Sequence, residues 1–286
     1  TGNAANMRVH RDEKYGAGIF YAEWPAGETA PVAEVVTRFA TRDRAVDLSK
    51  PGTVPPEDKK VLALELAPTK FIATDGLVRQ TAREATKGAR TDVEKARALY
   101  EWIVDNTFRD PKTRGCGIGD IKGMLETRNL GGKCADLNAL FVGMARSVGI
   151  PARDVYGVRV ADSAVYKSLG KSGDITKAQH CRAEFYLAGY GWVPVDPADV
   201  RKLVLEENGG TPLTDPKVQA ARVKLFGAWE MNWQAYNTAA DVKLPNSPGD
   251  PIAFFMYPQV ETANERRDSL DADSVRYRLT SREITG

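Results

Sequence analysis

The sequence predicts an α+β fold, and two stretches of it carry the prediction. Apolar residues recur from Leu137 to Val148 at the spacing of one helix face, directly after the glycine pair Gly131-Gly132. Farther on, residues 179–187 and 192–196 alternate in polarity on either side of a short glycine-containing turn, which is typical of an antiparallel hairpin. A helix followed by antiparallel strands indicates the α+β class.

The composition is that of an ordinary globular protein. The 286 residues are 42% hydrophobic and 27% charged, and the formal net charge is +2. Neither a run of like charges nor an apolar stretch long enough to cross a bilayer is present. We therefore expect no nucleic acid partner, no membrane span and no cofactor.

The first part of the chain, residues 1–68, is predicted to be a β-rich N-terminal region. Strand-like runs occupy residues 18–24, 33–40 and 61–66, and prolines punctuate the segments between them. We expect these runs to pair with one another or with the core.

Helices are predicted to dominate from about residue 75. One is expected over residues 77–87, and Thr91 with Glu94 forms a capping box that begins the next. Asp120 is expected to cap a third, short helix, which precedes the helix that contains Cys134.

Strands are predicted to follow these helices. One is expected over residues 152–160, and a polar excursion over 161–177 separates it from the hairpin. Alternation along the first hairpin strand places His180 and Arg182 on one face. If an odd number of residues forms the hairpin loop, Asp196 shares the face of His180, and we predict this register.

The last part, residues 201–286, is predicted to be an extension that packs on a core of residues 69–200. It contains a predicted helix near 216–225 and predicted strands near 229–236, 252–257 and 275–284.

Cys134 is the candidate nucleophile because of its position. A glycine pair is unfavourable inside a helix, so Cys134 falls in or just before the first helical turn. Unpaired N–H groups and the helix dipole favour an anion there, and the thiolate is the reactive form of cysteine. The chain has three cysteines and no C-x-x-C pair, which excludes a disulfide framework.

The choice of a base for this thiol is narrow. The chain has two histidines, and His10 lies in a polar stretch, which favours a surface position. His180 is therefore the candidate base, and Asp196 is the candidate carboxylate that fixes its tautomer and stabilises its charge. Cys134, His180 and Asp196 would together form a catalytic triad.

Four segments carry a resemblance to a known family. They are Gly132-Lys133-Cys134-Ala135-Asp136, residues 145–153, His180 to Leu187, and Gly191 to Pro197. In this order they resemble the transglutaminase-like domain, a branch of the papain-like cysteine enzymes. The resemblance covers about residues 76–200. It implies a papain-like transglutaminase core, in which a helix-borne cysteine packs on an antiparallel sheet that carries histidine and aspartate. The nucleophile, base and orienting acid of the family fall on Cys134, His180 and Asp196.

The resemblance also implies acyl transfer at an amide bond. A thioester on Cys134 would be resolved by water or by an amine, and the substrate would be a protein or peptide with a side-chain or backbone amide. The chain looks most like the bacterial branch, whose members are often exported. An exported or periplasmic location is therefore favoured over a cytoplasmic one.

Further side chains are candidates for the site. The backbone N–H of the nucleophile would bind the oxyanion, and Gln179 is a candidate second donor because it adjoins His180. Arg182 and Glu184 share the face of His180, and Trp192 is expected to pack beside the site.

Three alternatives remain open. A metal site built from Cys116, Cys134, His180 and Cys181 is disfavoured because adjacent residues of a strand point to opposite faces. The chain could instead be a catalytically inactive binding or scaffold protein. Within the enzyme class, a peptidase or amidase that only hydrolyses would use the same three residues.

Overall fold

Seven α-helices and fourteen strands form the regular structure of residues 1–284, the part of the chain that this computed structural model describes. The helices are α1 (Lys59–Leu64), α2 (Gly76–Ala85), α3 (Asp92–Asn106), α4 (Ile121–Thr127), α5 (Cys134–Ser147), α6 (Pro197–Glu206) and α7 (Pro216–Lys224). The strands are β1 (Asn6–Arg11), β2 (Gly18–Glu23), β3 (Arg44–Ala45), β4 (Phe108–Arg109), β5 (Gly131–Gly132), β6 (Ala152–Arg159), β7 (Gly173–Asp174), β8 (Gln179–Leu187), β9 (Gly191–Val195), β10 (Ala228–Trp229), β11 (Trp233–Asn237), β12 (Ala240–Val242), β13 (Ile252–Phe254) and β14 (Thr280–Ser281). Residues 285–286, the end of the predicted extension 201–286, lie outside the described residues.

A four-stranded antiparallel sheet of order β11-β6-β8-β9 lies at the centre of the molecule. In the β8–β9 hairpin, Leu187 pairs with Gly191 and Ala183 pairs with Val195. The loop between them therefore has an odd number of residues, which is the register predicted from the sequence. Strand β11 comes from the predicted C-terminal extension, so the extension supplies one edge of the central sheet.

Helix α5 packs across β6 and β8 and is buried along almost its whole length, with only Ser147 partly exposed. Its core face includes Phe141, whose ring contacts that of Phe185 from β8 edge-on, with centroids 6.0 Å apart. Burying a side chain of this size stabilises the fold by roughly 1.5–3 kcal/mol. The apolar stripe seen in the sequence is therefore the face that holds the helix on the sheet.

The glycines before α5 make room for the carboxylate of Asp136. A Cβ on Gly132 would lie 2.6 Å from Asp136 Cβ, and a Cβ on Gly117, whose φ is +92°, would lie 1.8 Å from Asp136 Oδ2. The buried carboxylate accepts the backbone N–H groups of Ile118, Gly119 and Lys133. Asp136 thus fixes the first turn of α5 to the loop before it, as a carboxylate at a helix N-terminus does.

Two of the three predicted N-terminal strands are wrong. Residues 18–24 do form a strand, β2, which pairs with β1. Residues 61–66 instead lie largely in helix α1. Asp58 caps this helix by accepting the N–H of Lys60, and Glu65 forms a buried ion pair with Arg146 at 2.8 Å. A six-residue apolar run fits either element, and these tertiary contacts decide between them.

Residues 33–40 form no strand beyond a single bridge at Ala33. Val35 and Val36 are 57% and 79% exposed, so no sheet covers the apolar side chains of this run. Alternation predicts a strand only where a neighbouring strand is available to pair, and here none lies alongside among the described residues.

The predicted helices were found, and α6, like α1, was missed. Helices α2, α3, α4 and α5 match the predictions, including the capping box of Thr91 and Glu94. Helix α6 was not predicted, although Asp196 before Pro197 is a typical start signal. The predicted strands at 252–257 and 275–284 contract to β13 and β14. None of the described helices has both the length and the hydropathy needed to cross a membrane.

Candidate active site

Three elements bring the predicted triad residues together inside the protein. Cys134 is the first residue of α5, His180 is the second residue of β8, and Asp196 follows β9 and caps α6. Their exposed fractions are 3%, 3% and 0%. Helix start, strand and helix cap therefore converge at one buried position.

The imidazole of His180 is held by a carboxylate. His180 Nε2 lies 2.7 Å from Asp196 Oδ2. The other oxygen of Asp196, Oδ1, accepts the backbone N–H of Asp199 at 3.0 Å and the side-chain amide of Asn138 at 3.2 Å. Capping α6 thus fixes the carboxylate in an orientation that leaves Oδ2 for the imidazole.

The charge of His180 is favoured despite its burial. Burial and the guanidinium of Arg159 lower the pKa of His180, but the carboxylates of Asp199 and Asp196 outweigh them and raise it to about 10. The imidazolium is therefore the form that this environment stabilises at neutral pH.

The thiol of Cys134 is correspondingly favoured as a thiolate. Burial opposes its ionisation, but the neighbouring side chains of Cys116, Cys181 and His180 bring the pKa of Cys134 well below its ordinary value. The neighbouring thiol of Cys134 and burial together raise the pKa of Cys116, and burial raises that of Cys181. Cys134 is therefore the thiol of the three whose ionisation is favoured, while the thiol of Cys116 donates to the carbonyl of Gln179 at 3.3 Å.

The C-terminal part of the chain contacts residues next to the site. The hydroxyl of Tyr257 accepts the backbone N–H of Cys116 at 2.9 Å, and the hydroxyl of Tyr277 lies 3.3 Å from Gln179 Nε2. The carbonyl of Cys116 also accepts the backbone N–H of Ala135 in α5 at 2.9 Å. These contacts hold the C-terminal part of the chain against the loop and the strand that flank Cys134.

Of the four additional candidates, Arg182 joins the site and Gln179 borders it. Arg182 Nε lies 3.6 Å from Asp196 Oδ2, and its guanidinium stacks on Trp233 at 4.8 Å from the ring centroid. The side-chain amide of Gln179 donates to the carbonyl of Thr176 at 3.0 Å as well as to Tyr277. The N–H groups of that amide are therefore used by these two partners.

Glu184 and Trp192 lie away from the thiol, contrary to their placement from the sequence. Glu184 forms ion pairs with Arg44 and Arg153, and Trp192 donates to Glu57 at 2.9 Å. Residues of a strand that share a face separate by about 3.3 Å per residue, so Glu184 is about 13 Å along β8 from His180. Sharing a face was therefore too weak a criterion for membership of the site.

Sequence reasoning missed Asn138, Asp199 and Arg159. Asn138 lies one turn after Cys134, and it donates to the carbonyl of Cys181 at 2.8 Å as well as to Asp196. A buried asparagine on the apolar face of a helix is the signal that could have revealed it. Asp199 follows three residues after the cap of α6, where an acidic side chain is expected to complement the helix.

The alternative metal site is not supported by the geometry. Within residues 1–284, only His180, Asp196 and Asp199 bring three histidine, cysteine or acidic donor atoms within 4.8 Å of one another. The alternative set of Cys116, Cys134, His180 and Cys181 therefore does not bring three donor atoms within this distance of one another. The guanidiniums of Arg159 and Arg182 face the two carboxylates, and their charges oppose a cation there.

Comparisons with known proteins found a matching family model and a similar relative. Residues 79–197 match the core of the transglutaminase-like superfamily. An uncharacterized protein of Haemophilus influenzae is 36% identical over 299 residues, in an alignment that covers 99% of this chain and 80% of the relative.

Two solved structures are also similar to this chain. A candidate cysteine protease from Cytophaga hutchinsonii is 19% identical with a TM-score of 0.40, covering 74% of this chain and 65% of its own. The periplasmic domain of TgpA from Pseudomonas aeruginosa is 19% identical with a TM-score of 0.40, covering 54% of this chain and 52% of its own. This chain therefore spans less than two thirds of either solved chain.

Proposed function

The chain belongs to the transglutaminase-like superfamily and has its papain-like α+β fold, and on that premise we propose that it is a cysteine-dependent acyltransferase or amide hydrolase. The superfamily is typically catalytic. The observation that carries the proposal is the contact of 2.7 Å between His180 Nε2 and Asp196 Oδ2, beside a cysteine at a helix start. A protein or peptide amide is the proposed substrate.

In the proposed first step, the thiolate of Cys134 attacks the amide carbonyl carbon. The backbone N–H at the start of α5 stabilises the negative charge that develops on the carbonyl oxygen. Because Nε2 of His180 is occupied by Asp196, Nδ1 is the ring nitrogen left to exchange protons at the reacting centre. The imidazolium gives its proton to the leaving nitrogen, ammonia or an amine departs, and a thioester on Cys134 remains.

In the proposed second step, neutral His180 accepts a proton from water or from an incoming amine. The resulting nucleophile attacks the thioester, and Cys134 is released as a thiolate. Water gives hydrolysis, and an amine gives transfer of the acyl group. The two outcomes share every residue of the site and differ only in the acceptor.

The test is a screen of glutamine-containing and other amide peptides, with and without a fluorescent primary amine. We expect ammonia release or amine incorporation with the wild-type protein and neither with Cys134→Ala, while Ser147→Ala, at the opposite and partly exposed end of α5, retains activity. Incorporation would identify amine transfer, and ammonia release without incorporation would identify hydrolysis. Absence of turnover and of any thioester detectable by intact mass would favour the inactive scaffold instead.

We also propose that the protein is exported, as its resemblance to the bacterial branch implies. Fractionation of the native cells followed by immunodetection tests this location. Recovery of the protein with cytoplasmic markers would contradict it.

A further inference from the structure

Two carboxylates face the same nitrogen of His180. Asp196 Oδ2 lies 2.7 Å from Nε2, and Asp199 Oδ1 lies 3.4 Å from it. The single N–H of Nε2 can make one short hydrogen bond, and the distances assign that bond to Asp196. Asp199 is therefore close enough to act on the ring by charge, while its Oδ1 accepts a hydrogen bond from Arg159.

Asp199 is fixed in this position by two independent contacts. Its backbone N–H donates to Asp196 Oδ1 at 3.0 Å, and its Oδ1 accepts Nη2 of Arg159 at 2.6 Å. Asp199 is 1% exposed, and its second oxygen has no hydrogen-bond partner among residues 1–284. A buried carboxylate with a free oxygen is costly to keep, which suggests that its charge serves a purpose beyond packing.

The charges around His180 indicate what that purpose is. Arg159 approaches from β6, Arg182 from β8, Cys134 from α5, and both aspartates come from the start of α6. With Asp196 alone, two guanidiniums would face one carboxylate, and the surplus positive charge would repel an imidazolium. With Asp199 present, the charges of the two guanidiniums and the two carboxylates sum to zero.

We propose that Asp199 is a second positioning carboxylate of His180: Asp196 orients the ring, and Asp199, held by Arg159, preserves its positive charge. The inference rests on the proposed function, in which the imidazolium of His180 delivers a proton to the leaving nitrogen. Without Asp199 the ring would keep its orientation and lose its proton at a lower pH.

The experiment is an NMR titration of ¹⁵N-labelled histidine in the full chain. Because the chain has two histidines, the variant His10→Asn assigns the signals. We expect the pKa of His180 to fall by one unit or more in Asp199→Asn. The matched control is Asp154→Asn, which removes a buried carboxyl group on β6 at a position paired with Ala183, and it should leave the pKa of His180 within about 0.3 units.

A shift in Asp199→Asn as small as that in the control would overturn the inference. If Asp199→Asn does not fold, the wild-type titration decides, because a His180 that loses its proton below pH 7 is also incompatible with the proposal. The titration needs no substrate, so its failure is distinguishable from failure of the proposed function. In an active enzyme, the alkaline limb of kcat/KM should move to lower pH in Asp199→Asn, a change that loss of packing alone would not cause.

Discussion

At the scale of single residues, Asn138 connects the nucleophile helix to the acid of the triad. It lies on α5 one turn after Cys134, and its amide donates both to Asp196 and to the carbonyl of Cys181 on β8. It also accepts the N–H of Ala198 at 3.4 Å. One buried side chain thus ties α5, β8 and α6 together at the site.

We expect Asn138→Leu to lower kcat/KM at least tenfold, because Asp196 and the Cys181 carbonyl would each lose a buried donor. Steady-state kinetics on an amide substrate found in the screen would measure the loss. Asn106→Leu, on an exposed position of α3, is the matched control and should keep wild-type activity. Equal activity in the two variants would show that Asn138 does not position the acid.

The individual site residues were recoverable from the sequence to different degrees. Cys134, His180 and Asp196 could be chosen because each chemical role had few candidates and the hairpin parity could be counted. Asp199 and Arg159 could not, since their importance depends on how α6 and β6 approach His180 in space. Glu184 and Trp192 were misplaced because alternation along a strand shows which face of the sheet a side chain lies on. It does not show how far along that face the side chain is from the site.

At the scale of elements, the start of α5 depends on the glycine before it. Gly132 lies in β5, and any side chain there would enter the space of Asp136. The Asp136 carboxylate in turn binds three backbone N–H groups around the helix start. Gly132 is therefore a packing requirement of the loop that presents Cys134.

We expect Gly132→Ala to reduce the free energy of unfolding by about 1–3 kcal/mol, since the added Cβ would meet Asp136 Cβ at 2.6 Å. Urea unfolding followed by circular dichroism measures the change. The control is Gly18→Ala in β2, where an added Cβ has no neighbour within 4 Å and the expected change is within about 0.5 kcal/mol. Equal stability of the two variants would contradict the packing argument.

Elements with long periodic patterns were predicted well, and short ones were not. The pattern of α5 extends over four turns and that of β8 over nine residues, so each has a single consistent assignment. The runs at 33–40 and 61–66 are short, and their outcome depended on partners elsewhere in the chain. Propensity and alternation describe a segment, whereas pairing and ion pairs are properties of the assembled fold.

At the scale of the whole molecule, the core contains a carboxyl group that opposes folding at neutral pH. Asp154 on β6 is 4% exposed, and neither of its oxygens has a hydrogen-bond partner among the described residues. Burial raises the pKa of Asp154 to about 8. In the unfolded chain this group releases its proton near pH 4. Between these values the folded state binds one more proton than the unfolded state, so the free energy of unfolding falls as the pH rises.

We expect Asp154→Asn to remove this dependence and to be more stable than the wild type at pH 7. The difference in the free energy of unfolding should be small near pH 4 and grow by up to about 1.4 kcal/mol per pH unit toward pH 8. Urea unfolding at a series of pH values measures it. A difference that does not change with pH would show that Asp154 does not titrate in the folded protein.

The most direct test of the account is the pH dependence of alkylation at Cys134 by iodoacetamide, followed by peptide mass spectrometry. If Cys134 and His180 form a thiolate–imidazolium pair, the rate in the wild type should stay nearly constant from pH 8 down to pH 5. In His180→Asn it should fall about tenfold per pH unit below pH 8, as for an ordinary thiol. The same pH dependence in both proteins would contradict the central claim that His180 activates Cys134.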